Sequence, residues 1–271
     1  MSRFGKQIII AVIFLIFFSS VGYGIYSLAT ENPTCFDGKQ NQGEEGVDCG
    51  AVCGILCDPE TQPLEIISSQ IIQTQDQEYD FIAFIQNPNT AYGVSELSYE
   101  IRFLNPSHVE VARRGGKFYI QPGQTRYIVE QAIESEDSIV SAELRFENPQ
   151  WQKIEGEKTA IDFPLKSEQY QDIGSAPVYS QFEGVISNNS NFDLDRVDVT
   201  VLLLDQAEAV VGVNTTVIRT LPARTERYFK VTWPFKVPGT VARTRVIATT
   251  DVLNSSNFLK SDGSQEKFQD F

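Results

Sequence analysis

All four cysteines of the chain, Cys35, Cys49, Cys53 and Cys57, fall within the 24 residues from Thr34 to Cys57, interleaved with Asp37, Asn41, Glu44, Glu45 and Asp48. Thiolates and hard oxygens in one glycine-rich loop could bind a metal, run a redox couple or cross-link the chain. The spacing C-x13-C-x3-C-x3-C disfavours structural zinc, which needs paired thiolates a tight C-x2-C turn apart so that both reach one tetrahedral ion. Calcium is the sharper metal alternative, with Asp37, Asn41, Glu44 and Asp48 as candidate ligands; Asp37 to Asp48 even spans twelve residues. Against an EF-hand, however, Lys39 takes the third ligand position, Gln42 replaces the turn glycine and Asp48 stands where a bidentate glutamate belongs. In an oxidising compartment four clustered thiols pair, so two disulfides are the expected state. Three pairings are open, and the spacing does not choose among them. No cofactor other than calcium has candidate residues.

The same stretch resembles a short cysteine motif of secreted and surface bacterial proteins, C-x-D-G-x-x-N-x-x-E-x-x-x-D-C-G-x-x-C. Cys35, Asp37, Gly38, Asn41, Glu44, Asp48, Cys49, Gly50 and Cys53 match it. Ala51 stands for the usual second glycine and the last gap is three residues instead of two. The resemblance covers fewer than 25 residues and implies a module and a milieu, not an activity.

A disulfide module needs export, and the N-terminus offers the means. No charged residue occurs from Gln7 to Thr30, and IIIAVIFLIFFSSVGYGIYSL supplies 21 mostly apolar positions, about the ~20 that a helix needs to cross a hydrocarbon core. Arg3 and Lys6 precede it, whereas seven acids and only Lys39 follow before Thr61, which predicts a cytoplasmic N-terminus. The expected layout is a cytoplasmic segment 1–6, a transmembrane signal-anchor helix 7–29 and a cysteine-rich stalk 30–63, with the bulk of the chain outside a cell membrane crossed once. A cleaved signal peptide is the rival, since Ile8 to Phe18 is short and Ser20 and Gly22 are small residues of the kind found before a cut. The apolar stretch continues through Leu28, longer than a leader needs, and favours retention. Formal charge is −14; Met1 to Leu28 contributes +2, leaving −16 on the remainder, which repels phosphate backbones. Nucleic acid is therefore excluded as an expected partner.

Beyond Pro63 the pattern becomes period-two alternation, the signature of strands. Leu97, Tyr99, Ile101 and Phe103 alternate with Glu96, Ser98, Glu100 and Arg102. A hundred residues later Val197, Val199, Val201 and Leu203 alternate with Arg196, Asp198, Thr200 and Leu202. YDFIAFIQNPN at Tyr79 answers YSQFEGVISNN at Tyr179, and PGQTRY at Pro122 answers PARTERY at Pro222, so the body is a tandem duplication. Each unit reads as about seven short strands with no helical stretch to carry a parallel crossover. The fold class expected is mainly β: one N-terminal transmembrane helix, a small disulfide-rich segment, then two tandem immunoglobulin- or fibronectin-like antiparallel β-sandwiches, at 64–158 and 159–253, and a flexible tail 254–271. Asn148 to Ala160 reads as the junction.

The second unit resembles the FxLyD family of small exported β-sandwich domains through Phe182, Gly184, Val185, Asn188, Leu194, the Val197–Leu203 alternation, Asp205, Val210, Val211, Leu221 and Pro222. Ala223 stands for the glycine expected after Pro222. The first unit resembles it more loosely, through Asn87, Pro88, Leu97, Tyr99, Ile101, Pro122, Gly123 and Thr125, with Phe84 where a small residue is usual. The resemblance implies an envelope interaction module without catalytic residues.

Elsewhere the chain offers little chemistry. His108 is the sole histidine, at a turn after Asn105, so a serine or cysteine nucleophile has one imidazole to borrow. Glu134, Glu136 and Asp137, and Asp193, Asp195 and Asp198, form the two acid clusters that paired-carboxylate hydrolysis would draw on. Phosphate-loop, dinucleotide and zinc-protease motifs are absent from the sequence. RRGGKFY makes Arg113, Arg114, Lys117 and Tyr119 a candidate contact patch, read as a hairpin whose tight turn is Gly115-Gly116. Trp151 and Trp233 are expected in packing. Asn188, Asn214 and Asn254 fit N-x-[ST]. No catalytic residue is assigned. The expected role is a membrane-anchored extracytoplasmic binding or scaffolding protein with an envelope protein or glycan partner; the alternatives are a carboxylate-dependent hydrolase and an inert spacer.

Overall fold

The computed structural model describes residues 3–29, 35–41, 43–55, 57, 61–154 and 161–260. Contacts divide the chain into two units, Met1–Glu60 and Thr61–Phe271. In the first, helix α1 (Arg3–Ala29) carries apolar side chains all round, and none of its Arg3–Tyr26 stretch is buried against protein. Such a helix, about 40 Å long at ~1.5 Å per residue, can cross a membrane by length and composition; a signal sequence shares both properties. The cysteine loop follows, held by two disulfides, Cys35–Cys53 and Cys49–Cys57, and by isolated bridges Gly46–Cys49 and Gly50–Ile55. Residues 30–34, 42, 56 and 58–60 of the expected stalk lie outside the described residues.

The second unit is built twice from one plan. In the first repeat β1 (Glu65–Gln75), β2 (Glu78–Gln86) and β5 (Thr125–Glu134) form one antiparallel sheet in the order β1-β2-β5. Facing it are β4 (Glu110–Ile120), β3 (Tyr92–Leu104) and β6 (Ser141–Phe146), with the short β7 (Gln152–Lys153) on the start of β3. The second repeat matches it strand for strand. Here β8 (Leu165–Ser175), β9 (Val178–Ser187) and β12 (Glu226–Trp233) form one sheet; β11 (Val210–Leu221), β10 (Asp193–Leu204) and β13 (Arg243–Thr249) form the other, with β14 (Phe258–Lys260) on the start of β10. Period-two side chains fill each interior: Phe81, Ile85, Leu97, Ile101 and Phe103 in the first, Phe182, Ile186, Val197, Val201 and Leu203 in the second.

Two buried asparagines pin equivalent corners. Asn87 donates through Nδ2 to the carbonyls of Tyr92 (2.7 Å) and Gln121 (2.8 Å), and Asn188 to those of Phe192 (2.8 Å), Leu221 (3.0 Å) and Pro222 (3.1 Å). Both are wholly buried, which is why an amide able to serve several loop carbonyls sits there.

The tail differs from expectation. Residues 254–260 are integrated into the second sandwich: Asn254 accepts from the Ser256 backbone N–H to cap a 3-10 turn, Asn257 is buried and accepts from Arg196 N (2.8 Å), and Phe258 packs edge-on against Phe192. A segment that reads as polar completes the sandwich as β7 does in the first repeat. The remainder of the expected tail, 261–271, and residues 155–160 of the expected junction lie outside the described residues.

A third apolar cluster joins the repeats. Ile72 and Ile82, with Tyr127 and Val129, come from the outer face of the β1-β2-β5 sheet; Leu202, Leu204 and Val213, with Val210 and Ile247, come from the outer face of the β11-β10-β13 sheet. The two sandwiches are thus stacked sheet on sheet. This explains the run Val201-Leu202-Leu203-Leu204, in which every residue is buried: a strand covered on both faces needs no polar side.

Candidate functional site

In the cysteine loop the carboxylates are engaged by the loop itself. Asp48 accepts from the backbone N–H groups of Asp37 (2.9 Å) and Gly38 (2.8 Å), one on each oxygen. One oxygen of Glu44 accepts from Asn41 N (3.1 Å) and Asp48 N (3.3 Å), and Asp37 accepts from Lys39 N (2.9 Å) and Asn41 Nδ2 (3.0 Å). Cys35, Cys53 and a Glu44 oxygen lie within 4.8 Å of one another, but the two sulfurs are bonded to each other and offer no thiolate. Of the candidate calcium ligands, Asp37, Glu44 and Asp48 therefore serve the turn by accepting from main-chain donors, and Asn41 by donating its side-chain amide to Asp37.

The candidate contact patch is corrected in shape. Arg113, Arg114, Lys117 and Tyr119 all lie within β4, a continuous strand; the hairpin turn is at Asn105–Val109 instead. That turn is closed by Asn105 Oδ1, which accepts from Ser107 N and Val109 N, while His108 takes the left-handed φ of 58°. In the second repeat Asp205 and Glu208 (φ 64°) do the same, so His108 is a turn residue. Gly115 and Gly116 are mid-strand, opposite Tyr99: a Cβ on Gly116 would sit 2.5 Å from the Tyr99 hydroxyl, and one on Gly115 would sit 3.1 Å from the Tyr99 carbonyl oxygen. Arg113 pairs with Glu100 (2.7 Å) and Glu110 (2.8 Å), Lys117 with Glu96 (2.5 Å), and Arg114 donates to the carbonyls of Arg113 and Ala132. The guanidinium partners hold the Glu110 carboxyl down at about 2. The basic cluster is one side of an exposed ion-pair ladder.

Tyr119 lies farther along the same face of β4 as Arg113 and Lys117, where it is buried at the border between the repeats. Its ring carries the Arg126 guanidinium 3.5 Å from the centroid, and its hydroxyl hydrogen-bonds Thr249 Oγ1 (3.1 Å) across the border. Arg126 reaches Asp198 (3.0 Å), whose other oxygen takes Arg196 (2.7 Å). Both side chains of the Arg126–Asp198 pair are largely buried, at 13% and 18% exposure, so solvent screens their attraction little and removing either partner would leave a charge unpaired at the border. A cleft of about 340 Å³ opens beside it, with Glu96, Lys117, Arg219 and Asp251 at its walls. Burial raises the Asp251 carboxyl. Asp195 and Asp198 of the second acid cluster stand here with Arg219 and Arg196 as partners, whereas Glu134, Glu136 and Asp137 of the first are exposed. The arrangement anchors one sandwich to the other.

Sequence reasoning missed this border. Its one visible signal was the apolar run Val201–Leu204 in a strand whose outer face otherwise reads polar.

A second cavity, of about 430 Å³, opens at the edge of the second sandwich. Tyr170, Asp172, Tyr179, Ser180, Lys236 and Thr240 are among its walls. The equivalent edge of the first repeat has a cavity of about 570 Å³ with Ile71, Tyr79, Phe81, Ile139, Val140 and Ala142.

No protein-family model matches the chain, and no curated protein matches it. Among solved structures it is similar to red sea bream transglutaminase, with a TM-score of 0.24 and 13% identity over 71% of this chain and 30% of that one. The chain thus spans less than a third of that protein.

Proposed function

We propose that the protein is a membrane-tethered, extracytoplasmic binding or scaffolding component of a cell envelope, its N-terminus cytoplasmic and its stacked sandwiches displayed outside. One observation carries this reading: two disulfides close a loop that begins a few residues after an apolar, unburied helix. Cystines persist where the redox poise is oxidising, and the order helix, cystine loop, β body, with Arg3 and Lys6 before the helix, supports a layout in which that compartment lies across a membrane from the N-terminus. The FxLyD resemblance implies the same reading; Asn188, Leu194 and Leu221, among the residues that carry it, are wholly buried in the second sandwich. Described carboxylates of both acid clusters are exposed or tied to arginines and main-chain donors, which favours presentation of surface over catalysis.

The test is affinity recovery from crosslinked membranes with the full chain as bait. The same envelope partner should return in repeated preparations and be lost when the helix is replaced by a cleavable leader. A chain that repeatedly recovers nothing contradicts the reading.

A further inference from the structure

The cystine loop turns its carboxylates inward and its apolar side chains outward. Glu44 is 7% exposed, with one oxygen taken up by Asn41 N and Asp48 N, and the carboxylates of Asp37 and Asp48 are likewise engaged by donors of the loop. Phe36, by contrast, is 82% exposed, Val52 63%, Val47 56% and Ile55 41%. Cystines apart, no large apolar side chain of the loop is buried among its described residues. Two cross-links can hold so short a segment without an apolar core, which releases these four side chains for a contact outside the loop. Left in water, each exposes surface whose burial is favourable. The Cys35–Cys53 link also gathers them: Phe36 follows one cysteine and Val52 precedes the other, so each is one residue from a pair of Cα atoms 5.6 Å apart. Exposed charge among the described loop residues is confined to Lys39 and Glu45, in the stretch between those two.

The chain itself indicates what covers the apolar set. Cys35 is six residues beyond Ala29, where α1 ends, and six residues reach at most about 20 Å even when fully extended. Tyr23, Ile25 and Tyr26, towards the same end of α1, are exposed, and tyrosine is a residue type that settles at headgroup level. A helix that crosses a bilayer therefore delivers the loop within reach of the boundary between headgroups and acyl chains, an apolar phase continuous with the one that covers the helix. Charge decides which part of the lipid is met. Asp37, Glu44, Glu45 and Asp48 against Lys39 leave the loop at −3, so anionic headgroups do not attract it, and the attraction is to the acyl boundary.

We infer that the cystine loop is a membrane-seated foot: Phe36, Val47, Val52 and Ile55 enter the headgroup–acyl boundary beside α1, while Lys39 and Glu45 stay in water. This rests on the reading that α1 spans a membrane. It changes the loop from a spacer into a second attachment, which keeps the chain on the lipid surface after the helix has ended.

The experiment uses the full chain in phosphatidylcholine vesicles, with the same lipid brominated in its acyl chains as a contact quencher. Phe36→Trp and Val52→Trp, both at exposed positions, are compared with the parent chain, whose Trp151 and Trp233 set the background. The added emission should be blue-shifted, lost in the brominated vesicles and out of reach of iodide in the water. Glu45→Trp should keep its emission in brominated lipid and lose it to iodide. Intact mass without reductant checks that the cystines persist, and two variants keep the test standing if one of them disturbs a cystine. Flotation of the vesicles in alkaline carbonate reports separately whether α1 holds the chain in the bilayer. A chain that floats while positions 36 and 52 stay bright in brominated lipid overturns the foot and leaves the tether standing. Quenching by iodide would then place the loop in water, and shielding from iodide would mean that the β body or a second copy covers it. A chain that does not float overturns the tether, and the foot with it.

Discussion

The outer faces of the two repeats carry opposite characters although the strands beneath them pair alike. On the β1-β2-β5 sheet the outward residues Ile72, Ile82, Tyr127 and Val129 are apolar and covered; their counterparts on β8-β9-β12 are Gln171, Glu183, Tyr228 and Lys230, with Tyr228 exposed and Lys230 paired to Glu183. On the other sheets the sense reverses. Arg102 and Arg113 of the first repeat belong to an exposed ion-pair ladder, whereas Leu202 and Val213, at the same registers, are buried. One apolar face from each repeat meets the other, and one polar face from each meets solvent. Duplication supplied two copies of a core, and divergence of the outer faces alone decided that the copies stack.

Making the second repeat resemble the first at this contact has the largest expected effect. Leu202→Arg puts a charge without a built partner into the apolar junction and should destabilise the body by about 3–5 kcal/mol in urea unfolding. The reciprocal Arg102→Leu removes exposed pairs with Glu110 and Glu143 and should change stability by less than about 1 kcal/mol. Equal effects of the two would break the comparison.

Asp80 sharpens it with pH. The residue lies on the covered face of β2, 1% exposed; one oxygen accepts from Ala132 N (3.1 Å) and the other has no partner in the protein. Burial first, opposed by the Ala132 N–H and reinforced by the charge of Glu78, raises its carboxyl from 3.8 to about 6. Gln181, at the same register in the second repeat, is neutral. A raised acid is penalised when ionised, so stability falls as pH rises from about 3.8 to about 6, and the full penalty stands above 6. Asp80→Asn should therefore gain about 2–3 kcal/mol at pH 8 and nothing near pH 3.5. Unfolding titrations at both pH values check this, and a gain independent of pH would contradict the burial account.

The smallest effect is at a turn. Gly123 (φ 62°) and Arg224 (φ 59°) hold the same left-handed position of the PGQ and PAR turns. Arg224→Gly should stabilise by a few tenths to about 1 kcal/mol, and Gly123→Ala should destabilise by about as much. Thermal melts of the two variants read both signs.

That turn also marks what was legible in the sequence. The glycine of the first unit aligns in letters with Ala223, yet the conformation that needs it falls on Arg224, because PARTERY is one residue longer than PGQTRY. Alternation named both cores, Asn87 and Asn188 stood out at corresponding places, and clustered cysteines announced cystines without their pairing. Gly115-Gly116 misled because a glycine pair reads as a turn locally; the Tyr99 ring, on a neighbouring strand, accounts for the glycine at 116. The stacking of repeats, the Arg126–Asp198 pair and the edge cavity of the second sandwich all join residues about 50 or more apart, on partners that no local pattern identifies.

The central claim is that the acidic β body is displayed across a membrane from Arg3 and Lys6. Paired fusions behind Phe271 test it most directly, one to alkaline phosphatase, which needs its own disulfides, and one to a fluorescent protein that matures only in the cytosol. An active phosphatase and a dark fluorophore are expected. A bright fluorophore with an inactive phosphatase would contradict the account.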